Sequence, residues 1–383
     1  MFKFLSSAKA MIRMGRHTRA LTTSTPTNAT FATSSARTFH PIKLGEVFCE
    51  RYEVINQLGS GVYSQVLLVR DIRENRLAAM KVLVSELTRE THGPDERGIM
   101  MLLRDTDPQS IGWHHVCQLF DSFTHTGPNG EHICLILEPL RLGMGSVSRA
   151  FNGPMPLPLV RRIAKQMLQA LQYVHKCGVI HTDIKPDNIM MVGPPPTAGQ
   201  TSTQININDL QSANFKLIDF GSANTLARRW AAVLQPLALR APEVIVGADW
   251  DTKVDVWNLS CLLYEFVRGA LLFDPNWNNE ITGMNQAQTH LAQMVGLFGS
   301  FPHDLLQRSR RTAEFFDNRG NLLRPGSYSI TLQDLLARTK LASQEVDEVS
   351  DFLLRGLTID PKLRWSAAQL LEHPWLRLLG YYS

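Results

Sequence analysis

Cysteine is scarce in this chain and scattered where it occurs. Cys49, Cys117, Cys134, Cys177 and Cys261 are odd in number and never form a CxxC pair, which argues against a disulfide framework and against a zinc site and points to a reducing compartment. Long apolar runs are missing too: no stretch of about 18 apolar residues occurs, so the sequence supports no membrane-spanning helix. Charged residues make up 19% and hydrophobic ones 44%, the balance of an ordinary soluble globular protein. Acidic residues are absent from the first 45 positions. Lys3, Lys9, Arg13, Arg16, Arg19, Arg37 and Lys43 are opposed only by Glu46, so residues 1–46 carry a net +6, and the overall +4 leaves −2 for the rest. The basic character therefore belongs to the N-terminal segment, and the remainder offers no electrostatic case for direct nucleic-acid binding.

What is present divides into two regions. Residues 1–46 are rich in Ser, Thr, Ala and Arg; Phe4, Leu5, Ala8, Met11 and Ile12 recur at helical spacing, with Lys9, Arg13 and Arg16 on an adjacent face. A mitochondrial presequence and a disordered basic tail both fit that composition. The rest is long enough to bury a large core, as one two-lobed domain or two small ones.

From Tyr52 the pattern is strand-like, with runs at residues 52–55, 66–69 and 78–84. The first turn reads Leu58, Gly59, Ser60, Gly61, Val62, Tyr63, Ser64, Gln65, Val66. Two glycines let backbone amides approach phosphate oxygens, and Val66 can cap an adenine ring; a plain hairpin turn is the commoner origin of such a pattern. A dinucleotide-binding Rossmann unit fits less well, because the next element is β-rich and not a helix. Lys81, between Met80 and Val82, points to the face opposite its neighbours, since side chains alternate along a strand. Glu96 opens a helix-compatible segment in which Ile99, Met100 and Leu103 recur at three-to-four spacing, weakened by Gly98 at about 1 kcal/mol relative to alanine. An edge lysine and a solvated helix carboxylate are the plainer readings of these two residues. Residues 132–138 read as a buried strand after a Gly-Pro-Asn-Gly turn. Beyond Pro158, Val160, Ile163, Met167, Leu168, Leu171 and Val174 form one helical stripe that stops at Gly178.

That helix delivers the chain to VIHTDIKPDNIMM, residues 179–191, where Asp183 stands five residues before Asn188 with Lys185 between them. A proline- and glycine-rich insertion follows, expected to be a mobile loop, and then a short apolar strand that ends in Asp219, Phe220 and Gly221. A carboxylate at the end of a buried strand needs a cation or a hydrogen-bonding partner, and magnesium is the natural candidate. Ala241-Pro242-Glu243, Asp255 at the head of an apolar helix, and Arg364 in a late LRW segment complete the set.

Taken in order, LGSGVYSQV, AMK, the glutamate of DERGIMMLL, HTDIKPDN, DFG, APE, DVW and LRW resemble a eukaryotic protein kinase domain over about residues 52–376. HTDIKPDN with threonine after the histidine, together with GWHH, DSFTHTGPNGEHIC and HLAQMVGLFGSFP, is similar to the SR-protein-kinase (SRPK) branch of the CMGC group, fungal type. The resemblance implies an α+β bilobal fold, with a β-rich N-lobe over about 52–138, a helical C-lobe over about 142–376 and a hinge near Leu137–Leu140. It implies ATP and Mg2+ as cofactors: Leu58, Gly59, Gly61 and Val66 around the nucleotide, Lys81 paired with Glu96 on its phosphates, and Asn188 and Asp219 on the metal. Asp183 would accept the proton of a substrate hydroxyl, with Lys185 balancing charge on the moving phosphoryl group. Glu243 with Arg364, and Asp255 under the catalytic loop, would be structural.

Departures from the common kinase pattern are informative. Thr182 replaces the arginine that in many kinases grips a phosphorylated activation loop, and residues 222–240 offer only Ser222 and Thr225 as hydroxyls. Activity without activation-loop phosphorylation is the expectation. The implied partners are proteins with Ser/Thr sites, arginine/serine-rich ones among them, although Arg228 and Arg229 in the loop would oppose an arginine-rich peptide; Asp274 and Glu280 could supply an acidic docking surface, with solvated loop charge the plainer reading. A pseudokinase scaffold and a small-molecule phosphotransferase are the rival classes; the retained Lys81, Asp183, Asn188 and Asp219 weigh against the first, and the APE segment against the second.

Overall fold

Alternation of apolar side chains in the first third of the chain builds a six-stranded antiparallel sheet, in the order β1-β2-β3-β4-β6-β5. Its strands are β1 (Val47–Phe48), β2 (Tyr52–Ser60), β3 (Ser64–Asp71), β4 (Arg76–Leu83), β5 (Leu119–Gly127) and β6 (Gly130–Leu137). The computed structural model of the chain describes residues 39–89, 95–194, 210, 212–229, 234–326 and 330–377. The presequence-like helix, most of the insertion after Met191 and residues 230–233 lie outside the described residues.

The period of two sorts each strand between two cores. Leu67, Val69, Ala78, Met80, Val82, Cys134 and Ile136 pack on one face of the sheet with Ile42, Phe48 and Tyr52. Leu135, one residue out of phase, faces the other way and joins Ile99, Met100 and Leu103 of helix α2 (Glu96–Asp105) in the core that continues into the C-lobe. Helix α1 (Ser85–Arg89) precedes α2. Among the described residues, Phe39 and Ile42 are buried, and the amide of Val54 donates to Glu46 O. Two apolar residues among so many basic and hydroxylic ones do not show as a pattern until the sheet provides their partner surface.

Past the hinge, β7 (Leu142–Gly143) and helices α3 (Met144–Phe151) and α4 (Leu157–Lys176) open the helical lobe. The stripe read from Val160 to Val174 is the buried face of α4, and Gly178 takes φ +74 to end it, a conformation that disfavours residues with a Cβ. Short antiparallel pairs follow: β8 (Val179–Ile180) with β11 (Asn224–Thr225), and β9 (Ile189–Met191) with β10 (Phe215–Leu217). Helices α5 (Pro242–Val246), α6 (Lys253–Arg268), α7 (Gln286–Phe298) and α8 (Ser343–Gly356) complete the elements that matter for the site. Almost all of α6 is buried, as suits a helix apolar around most of its circumference. No helix among the described residues is long and apolar enough to cross a membrane.

A buried ion pair joins α5 to the end of the lobe. Arg364 Nη1 and Nη2 donate to Glu243 Oε1 and Oε2 at 2.7 and 2.9 Å, both side chains are fully buried, and the guanidinium lies over the Trp257 ring. Arg364 also donates to the carbonyls of Thr358, Lys253 and Ile359, so its remaining N–H groups are satisfied. Arg364→Met should cost about 3–5 kcal/mol by stranding the Glu243 carboxylate, and adding Glu243→Gln should recover part of that loss; urea unfolding of the three proteins checks both.

His290 of α7 gives the fold an acid limb. It is fully buried against Phe273, and neither ring nitrogen has a hydrogen-bond partner among the described residues. Burial, helped by the charge of Arg240, holds its pKa down to about 3. Below an unfolded value of about 6.5 the unfolded chain takes a proton that the folded chain refuses. Its contribution is therefore present above that value and lost as pH falls toward 3, at up to about 1.4 kcal/mol per pH unit. His290→Leu should flatten the acid side of a stability-versus-pH curve measured by denaturant unfolding.

Candidate active site

The β2–β3 hairpin carries the glycine turn over the cleft between the lobes. The amide of Gly61 donates to Ser64 O to close the turn, Gly59 pairs with Val66, and the register slips between Gln57 and Gly59, which leaves Leu58 as a bulge residue. Val66 stands directly opposite Lys81 in the β3–β4 register, so the two share a face of the sheet. Met80 and Val82 point into the core on the other face, as alternation requires.

Lys81 is the meeting point of three elements. Its ammonium donates to Glu96 Oε1 at 2.6 Å and to Asp219 Oδ1 at 2.7 Å. Burial alone would depress the Lys81 pKa, but the two carboxylates outweigh it and raise it, so the group stays charged. Burial raises the Glu96 carboxyl, with Lys81 only partly offsetting it; at Asp219 the same burial is overcome by Lys81, and the pKa falls. Glu96 is the first residue of α2, whose start is fixed by Asp95 accepting from the amide of Gly98 at 2.9 Å. A Cβ on Gly98 would press on that exposed carboxylate, which can turn aside.

The loop between β8 and β9 holds Asp183, Lys185 and Asn188. Asp183 Oδ2 accepts from Lys185 Nζ at 2.6 Å and from Asn188 Nδ2 at 3.0 Å, and Asn188 Nδ2 also donates to Asp183 O. The Asn188 amide nitrogen is thereby spent and its oxygen is left as the ligand atom. Asp255 of α6 organises the loop from below: its two oxygens accept the amides of His181 and Thr182 at 2.9 and 2.8 Å, and His175 Nε2 lies 2.8 Å from Oδ2. Thr182 has φ +65, rare for a β-branched residue, and its hydroxyl donates to Ser222 O at 2.7 Å. Asp219 also sits at positive φ, +66. Strain of this kind persists only where the surroundings over-determine it. Phe220 is fully buried with its ring edge-on to His181, whose Nε2 lies 2.9 Å from Ile218 O.

The sequence-predicted site residues therefore converge as two connected sets: Lys81, Glu96 and Asp219 in one, Asp183, Lys185 and Asn188 in the other. Ile218 joins them, its amide donating to Asn188 O just ahead of Asp219. The carboxylate of Asp219 and the amide oxygen of Asn188 form an all-oxygen donor pair, which fits a hard divalent ion such as magnesium. Arg229 is committed to a cation–π contact with Trp250, and the Thr225 hydroxyl accepts from the Arg228 amide within its own turn. Gln235 escaped sequence reasoning. It is buried at φ +74; its Oε1 accepts the amide of Ala241, and its Nε2 donates to Val254 O and Asn258 Oδ1, pinning the loop ahead of α5 to α6. A lone glutamine in an unpatterned loop carried no signal.

Thr182→Val keeps the branched shape and removes only the bond to Ser222 O. A stability loss of about 1 kcal/mol is expected, together with a fall in kcat that leaves KM for ATP unchanged, measurable by thermal unfolding and steady-state kinetics.

Comparison with known proteins agrees with this geometry. The protein kinase domain family matches residues 52–376. The chain is similar to the Serine/threonine-protein kinase SRPK of Physarum polycephalum, 31% identical over 88% of each protein. It is also similar to Protein kinase dsk1 of Schizosaccharomyces pombe, at 26% identity over 88% of this chain and 83% of the relative. SRSF protein kinase 3 of Homo sapiens matches at 24% over 88% of each. With a two-lobed architecture and a match across most of its length, the chain belongs to the protein kinase family as a serine/threonine kinase that resembles the SRPK branch.

Proposed function

We propose that the chain transfers the γ-phosphoryl group of ATP to Ser and Thr hydroxyls of protein substrates. The observation that carries this reading is the Lys81 ammonium held between Glu96 and Asp219, with Asp183 and Asn188 on the loop that adjoins Asp219. In the proposed mechanism Leu58 and Val66 sandwich the adenine, and the amides of the Gly59–Gly61 turn and the Lys81 ammonium hold the phosphates. Asn188 Oδ1 and the Asp219 carboxylate hold magnesium, which neutralises charge on the phosphate oxygens when bound. Asp183 orients the substrate hydroxyl and takes its proton. Lys185, already 2.6 Å from Asp183, moves its charge onto the transferring group. The protein's work is positioning and charge compensation, since this chemistry asks for little else.

The reading extends to regulation. Thr182 spends its hydroxyl on Ser222 O and its amide on Asp255, so the loop is held by neutral and structural bonds where many kinases place an arginine that waits for a phosphate. The enzyme is accordingly active without activation-loop phosphorylation. Among substrates, arginine/serine-rich proteins fit the branch, as the human relative's name, an SRSF protein kinase, suggests. Arg229 lies over the Trp250 ring and keeps its charge, so an arginine-rich peptide would have to approach away from it.

Wild type and Asp183→Asn compared on a basic protein with labelled ATP should differ by several orders of magnitude in rate. Equal labelling would sink the mechanism. Phosphatase-treated enzyme should keep its activity, and a peptide library should return arginine beside the phosphorylated serine.

A further inference from the structure

Between the segment before β1 and the β5–β6 hairpin, three histidines and a glutamate come together. His40 and Glu46 belong to the segment that precedes β1; His125 on β5 and His132 on β6 are directly opposed in the hairpin register. One ligand atom each from His40, Glu46 and His125 lies within 4.8 Å of the others. His40 Nε2 is 3.2 Å from Glu46 Oε1, and the rings of His40 and His125 stand edge to face with centroids 4.5 Å apart. We propose that His40, Glu46 and His125 form a structural zinc site that clips the segment before β1 onto the β5–β6 hairpin.

The chemistry favours a metal over a simple ion pair. Two imidazoles and one carboxylate are a common zinc ligand set, and on a tetrahedron with metal–ligand bonds of about 2.0 Å the ligand atoms stand about 3.3 Å apart, close to the His40–Glu46 spacing. Burial supplies a second, independent indication. His40 is 4% exposed and turns its Nε2 to Glu46. His132 is fully buried; its Nδ1 lies 2.9 Å from Leu83 O and so carries the proton, which leaves Nε2 as a basic lone pair without a partner among the described residues. That is the hydrogen-bonding pattern of a histidine beside a metal, where one nitrogen is fixed by a carbonyl and the other is kept open. With three protein ligands the fourth position falls to water, and His132 Nε2, its ring 5.5 Å from that of His40, supplies the acceptor such a water needs. Cysteine spacing gave no hint of this, because the ligands are histidines and a glutamate brought together from the two opposite edges of the sheet.

The test uses the full chain without a polyhistidine tag, stripped by a chelator and then titrated with zinc and, separately, cobalt. Expected are one zinc per chain by elemental analysis, tetrahedral cobalt absorption bands, and a melting temperature that rises with zinc. His125→Phe keeps a ring against Phe48, 4.6 Å away in the wild type. This variant and Glu46→Gln should each bind zinc at least tenfold more weakly while retaining kinase activity as proof of folding, whereas Asp219→Asn should bind zinc as wild type does. Absence of stoichiometric zinc, or binding undiminished in both His125→Phe and Glu46→Gln, would overturn the proposal.

Discussion

One buried ammonium decides how the two lobes meet. Lys81 extends from a strand of the sheet, Glu96 opens the helix packed on that sheet, and Asp219 closes a strand that rises from the helical lobe. A lone charge at that depth would be costly, so each of the three elements must be in place for the others to be tolerated. The interaction thus acts as a constraint on assembly as much as a binding device. Displace α2 by a few ångströms and Glu96 loses the ammonium, while Lys81 keeps only Asp219. The positive φ of Asp219 belongs to the same arrangement, since it aims the carboxylate back at the lysine.

The lower lobe supports the loop that carries Asp183 through polar groups that never touch the cleft. Asp255 collects two consecutive backbone amides and a histidine, and Arg364 locks α5 to the C-terminal helices through Glu243. Gln235 does similar work for the segment before α5. These groups are buried, and each is satisfied several times over, so they limit the loop to one geometry. A half-satisfied network of this kind would be worse than an apolar core.

Much of this was legible in the residues themselves. Val179–Met191 was readable because its chemistry sits in one short run. Lys81 was readable because strand alternation puts a lysine between two buried apolar neighbours on the opposite face, and the structure places it there. Glu96 was readable from helix periodicity, and α2 forms with Gly98 in its first turn and Asp95 capping it. What stayed hidden depends on register and tertiary approach. Phe39 and Ile42 enter the core only because a sheet edge lies beside them. Gln235 earns its place through a positive φ and partners around 20 residues away, and His40 reaches His125 and His132, opposed in the β5–β6 pairing, only through the approach of the segment before β1.

The sealed position of Phe220 bears on small-molecule inhibition. Its ring is fully buried and rests against His181, which is itself held by backbone bonds to Ile218 and Asp255. An inhibitor that requires this phenylalanine to swing outward selects a rare conformer, because re-exposing a phenylalanine costs roughly 1.5–3 kcal/mol before any strain in the loop is counted. Apparent affinity falls by the population of that conformer, here a factor on the order of 10 to 100. Compounds that leave Phe220 in place escape that penalty. Scaffolds of the two kinds should thus differ in rank order on this kinase even when their other contacts are the same.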